Sequence, residues 1–252
     1  MYNPFIFKFK TDISRITIPE KMNNPFGLQI PEIANIAALE FQQFIELESK
    51  KWSHDFRINK GKMFGVLVIQ KVDNSLGYLG TISGKISGTD SCENFIPSIF
   101  DDSTDDFFIN KGMKELTTIG KKIENNTNQS EINLLKENRR QKSFALQQKL
   151  FENYRFLNVS GEENNVLQIF KSSSHGNPPA AAGECAAPKL LHFAFKNELK
   201  PIAIAEFWWG NPPKSNERVH KDFYPACKNK CRPILEFMLG DTELYNKVII
   251  KK

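Results

Sequence analysis

An α+β protein is expected from three features of the sequence. Apolar residues recur at helical spacing over 31–49, two β-branched and aromatic runs at 63–69 and 77–82 are joined by a polar turn, and a helix–strand–helix pattern at the C-terminal end carries three of the four cysteines. The expected architecture is a β-hairpin and small sheet packed with several helices, one of them long and charged, ending in that cysteine-bearing unit.

The first element spans Pro31 to Ser49, where Ile33, Ile36, Ala37, Phe41, Phe44 and Leu47 fall three and four apart. That is the stripe of an amphipathic helix, with proline suited to its first turn and Phe41 and Phe44 facing inward. Met63 to Ile69 is apolar without a break and rich in β-branched residues, which reads as a buried strand. Val72-Asp73-Asn74-Ser75 turns the chain into a second strand at 77–82. Gly77, Gly80, Gly84 and Gly88 are superficially like a phosphate loop, yet no Gly-Lys-Ser/Thr follows and no helix opens there, so close backbone approach or turns explain them.

From Thr89 to Phe108 the pattern dissolves. Asp101, Asp102, Asp105 and Asp106 lack the glycine and terminal glutamate of a calcium loop, and a solvated acidic loop is expected, with Cys92 in it given no role. A polar break at 125–130 lets Ser130 cap a long helix over 131–156 whose middle, Lys136 to Lys142, is basic. That charge run reads as a solvated face before it reads as a nucleic-acid contact. The loop Ser172 to Pro179 marks a boundary between a region 1–171 and a cysteine-bearing unit 172–252.

The 252 residues, 40% hydrophobic, suffice for a substantial core. The 34 basic residues exceed the 29 acidic ones, giving +5, too small an excess to name a partner. Locally the balance is stronger: between Pro213 and Pro233, Lys214, Arg218, Lys221, Lys228, Lys230 and Arg232 face only Glu217 and Asp222. With no leader at the N-terminus and no apolar run long enough to cross a bilayer, a cytoplasmic protein with reduced thiols is expected, and no membrane partner.

In such a compartment Cys185, Cys227 and Cys231 point to a metal. Cys185 precedes a helix beginning near Pro188, a strand runs from Pro201 to Phe207, and Cys227 and Cys231, four apart, open a helix near Pro225. Helix N-termini and the neighbouring Lys228, Lys230 and Arg232 are expected to lower the thiol pKa values, with His220 or a water as fourth ligand of a zinc ion. The alternative is three small buried hydrophobes. His192, among Leu190, Leu191, Phe193 and Phe195, reads as the edge of a core face. Trp208 and Trp209 point to opposite faces of their strand, so either one of them remains available for stacking an unpaired base beside the basic segment, or both are packed core tryptophans beside a solvated loop.

Several runs together carry a family resemblance: Gly61 to Val68, Leu76-Gly77-Tyr78-Leu79 with Ser83-Gly84-Lys85, Gly183-Glu184-Cys185-Ala186-Ala187-Pro188-Lys189-Leu190-Leu191, Ala205 to Gly210, and Tyr224-Pro225-Ala226-Cys227 with Cys231. Over nearly its whole length the chain resembles the N-terminal accessory region of long RluA-type RNA pseudouridine synthases. In that family a catalytic domain with an aspartate in a His-Arg-Leu-Asp segment follows, and this sequence has no such segment. The resemblance implies an RNA-contacting or domain-positioning role, with ribosomal or transfer RNA and a separate catalytic domain as partners. The cysteine unit is also similar to zinc nucleobase deaminases, which pair a His or Cys ligand with a Pro-Cys-x-x-Cys motif and a glutamate that shuttles protons. Here the position two after Cys185 is Ala187, and Cys227 and Cys231 are separated by three residues rather than two. Glu184 or Glu206 would have to supply the acid/base group of a stand-alone deaminase-like enzyme, the alternative function.

Overall fold

The computed structural model describes residues 3–52, 54–56, 58–84, 94–99, 108–215 and 217–240. Cys92 and the four aspartates of the expected acidic loop lie outside them, as do Lys85 and Gly88.

The elements follow in the order β1 (Ile6–Phe7), α1 (Glu32–Glu48), β2 (Lys62–Gln70), β3 (Leu76–Ile82), α2 (Phe108–Glu124), α3 (Gln129–Asn153), β4 (Arg155–Leu157), β5 (Glu163–Asn165), α4 (Val166–Lys171), α5 (Ala186–Lys196), β6 (Lys200–Trp209) and α6 (Arg232–Leu239). The chain is thus mixed α and β, with a main antiparallel sheet ordered β1-β3-β2-β6 and a two-stranded ribbon of β4 and β5. The loop between β2 and β3 closes by paired backbone bonds between Lys71 and Ser75 and Asn74 and Lys71, with Asn74 at positive φ.

β2 reads as an unbroken apolar run because both faces of the sheet are covered. Phe64, Val66 and Val68 pack with Ile33, Ala37, Phe41 and Ile45 of α1, while Leu67 and Ile69 pack with Leu190, Leu191 and Ala194 of α5 and Ile234, Leu235 and Met238 of α6. Two glycines let the layers close. A Cβ on Gly80 would stand 2.3 Å from the Phe41 ring, and one on Gly65 would stand 3.0 Å from Ala186 and 3.1 Å from Leu190. Close approach, not phosphate binding, is what these positions require.

The expected helices at 31–49 and 131–156 appear as α1 and α3. Asn128 rather than Ser130 caps α3, its side chain accepting from the N–H groups of Ser130 and Glu131. A different correction concerns α6. It begins at Arg232 with Pro233 in its first turn, not near Pro225, so Cys227 lies in the preceding turn and Cys231 is the cap residue. Strands from both sides of Ser172 share one sheet, since β6 lies beside β2. Among the described residues no helix is long and apolar enough to cross a membrane.

Candidate metal centre

Three elements deliver the thiols. Cys185 is the cap residue of α5, in extended conformation and without a side-chain capping bond. Residues 221–224 then run back along β6: Lys221 N–H donates to the Trp208 carbonyl, Trp208 N–H to Asp222, and Tyr224 N–H to Glu206. This tether, with the bond from Ala226 N–H to the Pro25 carbonyl at 2.8 Å, brings Cys227 to the N-terminal end of α5. One turn later the Cys231 N–H reaches the Cys227 carbonyl, which puts both sulfurs on one side.

The sulfurs of Cys185, Cys227 and Cys231 lie within 4.8 Å of one another, and those of Cys227 and Cys231 are 3.2 Å apart. Sulfurs held at about 2.3 Å from a tetrahedral zinc ion stand roughly 3.8 Å apart, so this set fits such an ion with small side-chain adjustments. Cys231 is 1% exposed, and the other two are half-buried.

The electrostatics differ from expectation in direction as well as cause, since only one of the three thiols is lowered. The Cys227 thiol is held well below its usual range by hydrogen bonds from Cys185 and Cys231 and from the backbone N–H groups of Lys230 and Cys231. Cys185 is pushed up, first by its hydrogen bond with Cys227, and Cys231 is pushed up by its hydrogen bonds with Cys185 and Cys227 and by burial. Neighbouring thiols, not the side chains of Lys228, Lys230 and Arg232, therefore set the balance. A lowered thiol with two more sulfurs beside it favours a soft divalent cation over a hard one.

Glu206 is the residue that sequence spacing left unresolved. It lies on β6 with Ile204 and Trp208, on the face that packs against α5. Its Oε1 accepts the Ala187 N–H at 3.2 Å, capping α5 from across the sheet. Burial raises its carboxyl pKa to about 7; the Ala187 N–H opposes the rise, charge at Cys227 adds to it, and Arg218 lowers it. Beside it lies a cavity of about 10 Å³, walled by Asn23, Pro25, Ile204 and Tyr224, room for about one water. Asn23 closes the wall by bonding both the N–H and the carbonyl of Ile204.

His220 does not join the sulfurs. Its Nδ1 accepts the Gly210 N–H at 2.9 Å and its ring lies 4.5 Å from that of Trp209, which holds it at the strand end, outside the group formed by the three sulfurs. Trp208 and Trp209 do point to opposite faces, yet both are buried, at 6% and 4% exposure, because the sheet is covered on both sides. The expected stacking face is absent at both. Among the cations, Arg218 stacks on Tyr224, Lys221 lies over Trp209 and pairs with Glu46, and Arg232 lies over Phe26 and pairs with Glu236. Lys214 and Lys228 are exposed and Lys230 partly so.

Comparison with protein families, curated proteins and solved structures finds no match.

Proposed function

We propose that this chain is the metal-holding, RNA-contacting accessory part of an RNA pseudouridine synthase of the RluA type, working in the cytoplasm beside a separate catalytic domain. The observation that carries the reading is a convergence. Two of the runs on which the resemblance rests carry the thiols, Gly183 to Leu191 across Cys185 and into α5 and Tyr224 to Cys231 across the thiol pair, and a third, Ala205 to Gly210 on β6, brings Glu206 to the first turn of α5. Zinc is the favoured ion, because three thiolates in a reduced compartment suit it and leave a fourth position for water. Lys214, Lys228 and Lys230 border the segment that carries Cys227 and would meet phosphates of ribosomal or transfer RNA.

The test is elemental analysis of purified full chain beside RNA binding by fluorescence anisotropy. The expected result is about one zinc per chain, lost in Cys227→Ser/Cys231→Ser, and salt-dependent binding of transfer or ribosomal RNA fragments that weakens in the Lys214→Ala/Lys228→Ala/Lys230→Ala variant. Metal-free protein from a zinc-supplemented preparation returns the cysteines to the role of buried hydrophobes, and absence of RNA binding removes the contact.

A second reading has one observation in its favour. In zinc nucleobase deaminases a glutamate follows the first ligand by two residues and moves the proton. Here that position is Ala187, and its N–H holds the Glu206 carboxyl, so a buried carboxyl with a pKa of about 7 takes the place of the missing side chain. A bound zinc ion would supply Lewis acidity and make a water nucleophilic at neutral pH, while Glu206 would carry the proton. Ammonia release from cytidine or adenosine, lost in Glu206→Gln with zinc retained, is the expected sign; none over a panel of bases, nucleosides and RNA removes this reading and leaves the first.

A further inference from the structure

α2 and α3 form a helical hairpin that accounts for most of the chain's net charge. Residues 108–153 hold nine lysines and arginines against five glutamates, whereas the whole chain holds 34 against 29. Only Leu116, Ile119 and Phe151 of the two helices are buried, so the hairpin stands out from the core as an arm. Three of its carboxylates are already engaged: Glu115 pairs with Lys142 at 2.6 Å, Glu131 accepts from Asn126 at 2.8 Å, and Glu137 accepts from Nε and Nη2 of one Arg140 guanidinium edge at 2.8 and 2.7 Å.

The cations of α3 are organised. Lys136, Arg139, Arg140, Ser143, Phe144 and Gln147 recur at spacings of three and four, which places them on one face of α3. With Ile123 of α2 they line a groove of about 460 Å³. Phe144 is 60% exposed within it. A second groove of about 690 Å³ at the tip of the arm is bordered by Lys121 and Lys122.

A helix that docks another helix presents a continuous apolar stripe. This face presents a single phenyl ring set among three cations and two hydrogen-bonding side chains. That is the composition of a single-stranded RNA contact, in which aromatic rings stack unpaired bases and cations follow the phosphates.

We propose that the α2–α3 arm binds single-stranded RNA, with Phe144 stacking an unpaired base and Lys136 and Arg139 holding the flanking phosphates. The inference rests on the RNA-contacting reading above and locates a contact that the buried Trp208 and Trp209 do not offer.

The experiment measures anisotropy of labelled oligouridylate and of an RNA duplex of equal length against the full chain over a range of salt. Lys136→Ala/Arg139→Ala is expected to weaken both at least tenfold, and to flatten the logarithmic salt dependence for the single strand by about 1.4, roughly 0.7 per lost cation. Phe144→Ala is expected to weaken the single strand about five- to fifty-fold and leave the duplex unchanged, since stacking requires an unpaired base. Unaltered metal content in both variants verifies that they are folded. The proposal is overturned if arm variants bind as the parent does while the Lys214/Lys228/Lys230 variant loses binding, an outcome that leaves the RNA reading standing. Competition by polyglutamate as effective as that by RNA, with no effect of Phe144→Ala, also overturns it and assigns the arm to an acidic protein. A parent chain that binds no RNA overturns both.

Discussion

Glu40 illustrates how a single buried charge can organise a terminus. Its carboxylate accepts from the N–H groups of Lys10 and Thr11 at 3.0 and 2.8 Å and stands 3.4 Å from the Tyr78 hydroxyl. Glu40→Ala leaves the buried Tyr78 hydroxyl without this acceptor and is expected to cost about 1 to 3 kcal/mol in urea denaturation, the penalty of one unsatisfied buried group. Nothing in the sequence marks Glu40, because its partners lie 30 and 38 positions away. His192 was legible, since its apolar neighbours place it at a core edge, and its Nδ1 accepts the Leu157 N–H at 3.1 Å. Burial, and then the charge of Lys196, lower its pKa below 6.5. The unfolded chain therefore takes up a proton first as pH falls, and stability should decline from about pH 7 toward pH 5 by this group's contribution. His192→Gln, which keeps an acceptor and cannot titrate, should flatten that part of the pH profile of the urea midpoint.

Most elements were readable at the scale of the element, though by different signals. α1, β2, β3 and β6 follow from periodicity, apolar runs and β-branched content, and α3 from a long charged stretch anchored by Phe144, Leu150 and Phe151 in its second half. α2 escaped although Ile109, Met113, Leu116, Ile119 and Ile123 fall three and four apart along it, because Gly112, Thr117, Thr118 and Gly120 weaken its helix propensity; a Cβ on Gly112 would meet Leu146 at 2.6 Å. The start of α6 was misplaced because the chain offers two prolines, and the bond from Tyr224 N–H to Glu206 keeps the first of them, Pro225, in the tether along β6. Gly80→Ala tests how tightly the layers fit. Its methyl group would overlap the Phe41 ring, and a loss of about 2 kcal/mol is expected from overpacking. Adding Phe41→Leu should recover part of that loss in a double-mutant cycle, because the two changes share one space. Asn128→Ala removes the cap of α3 and should cost about 1 kcal/mol, read from thermal unfolding followed by circular dichroism.

For the whole molecule, the sequence disclosed the three thiols and their helix–strand–helix setting, but not the alliance of Glu206 with α5, which depends on the neighbouring positions of β6 and α5 across the sheet. If zinc is the occupant, its removal by a chelator should lower Tm. With zinc at a hundred times its Kd the bound state gains about 2.7 kcal/mol, which for a chain of this size corresponds to roughly 5 to 10 °C. The same sheet has a kinetic consequence. Val66 lies opposite Ala205, so the central pairing joins segments separated by most of the polypeptide. Closing a loop of that length costs about 4 kcal/mol of chain entropy before any contact repays it. During synthesis the α2–α3 hairpin emerges and can form first, while β2 waits with one edge open until β6 leaves the ribosome, exposed meanwhile to pairing with other nascent chains.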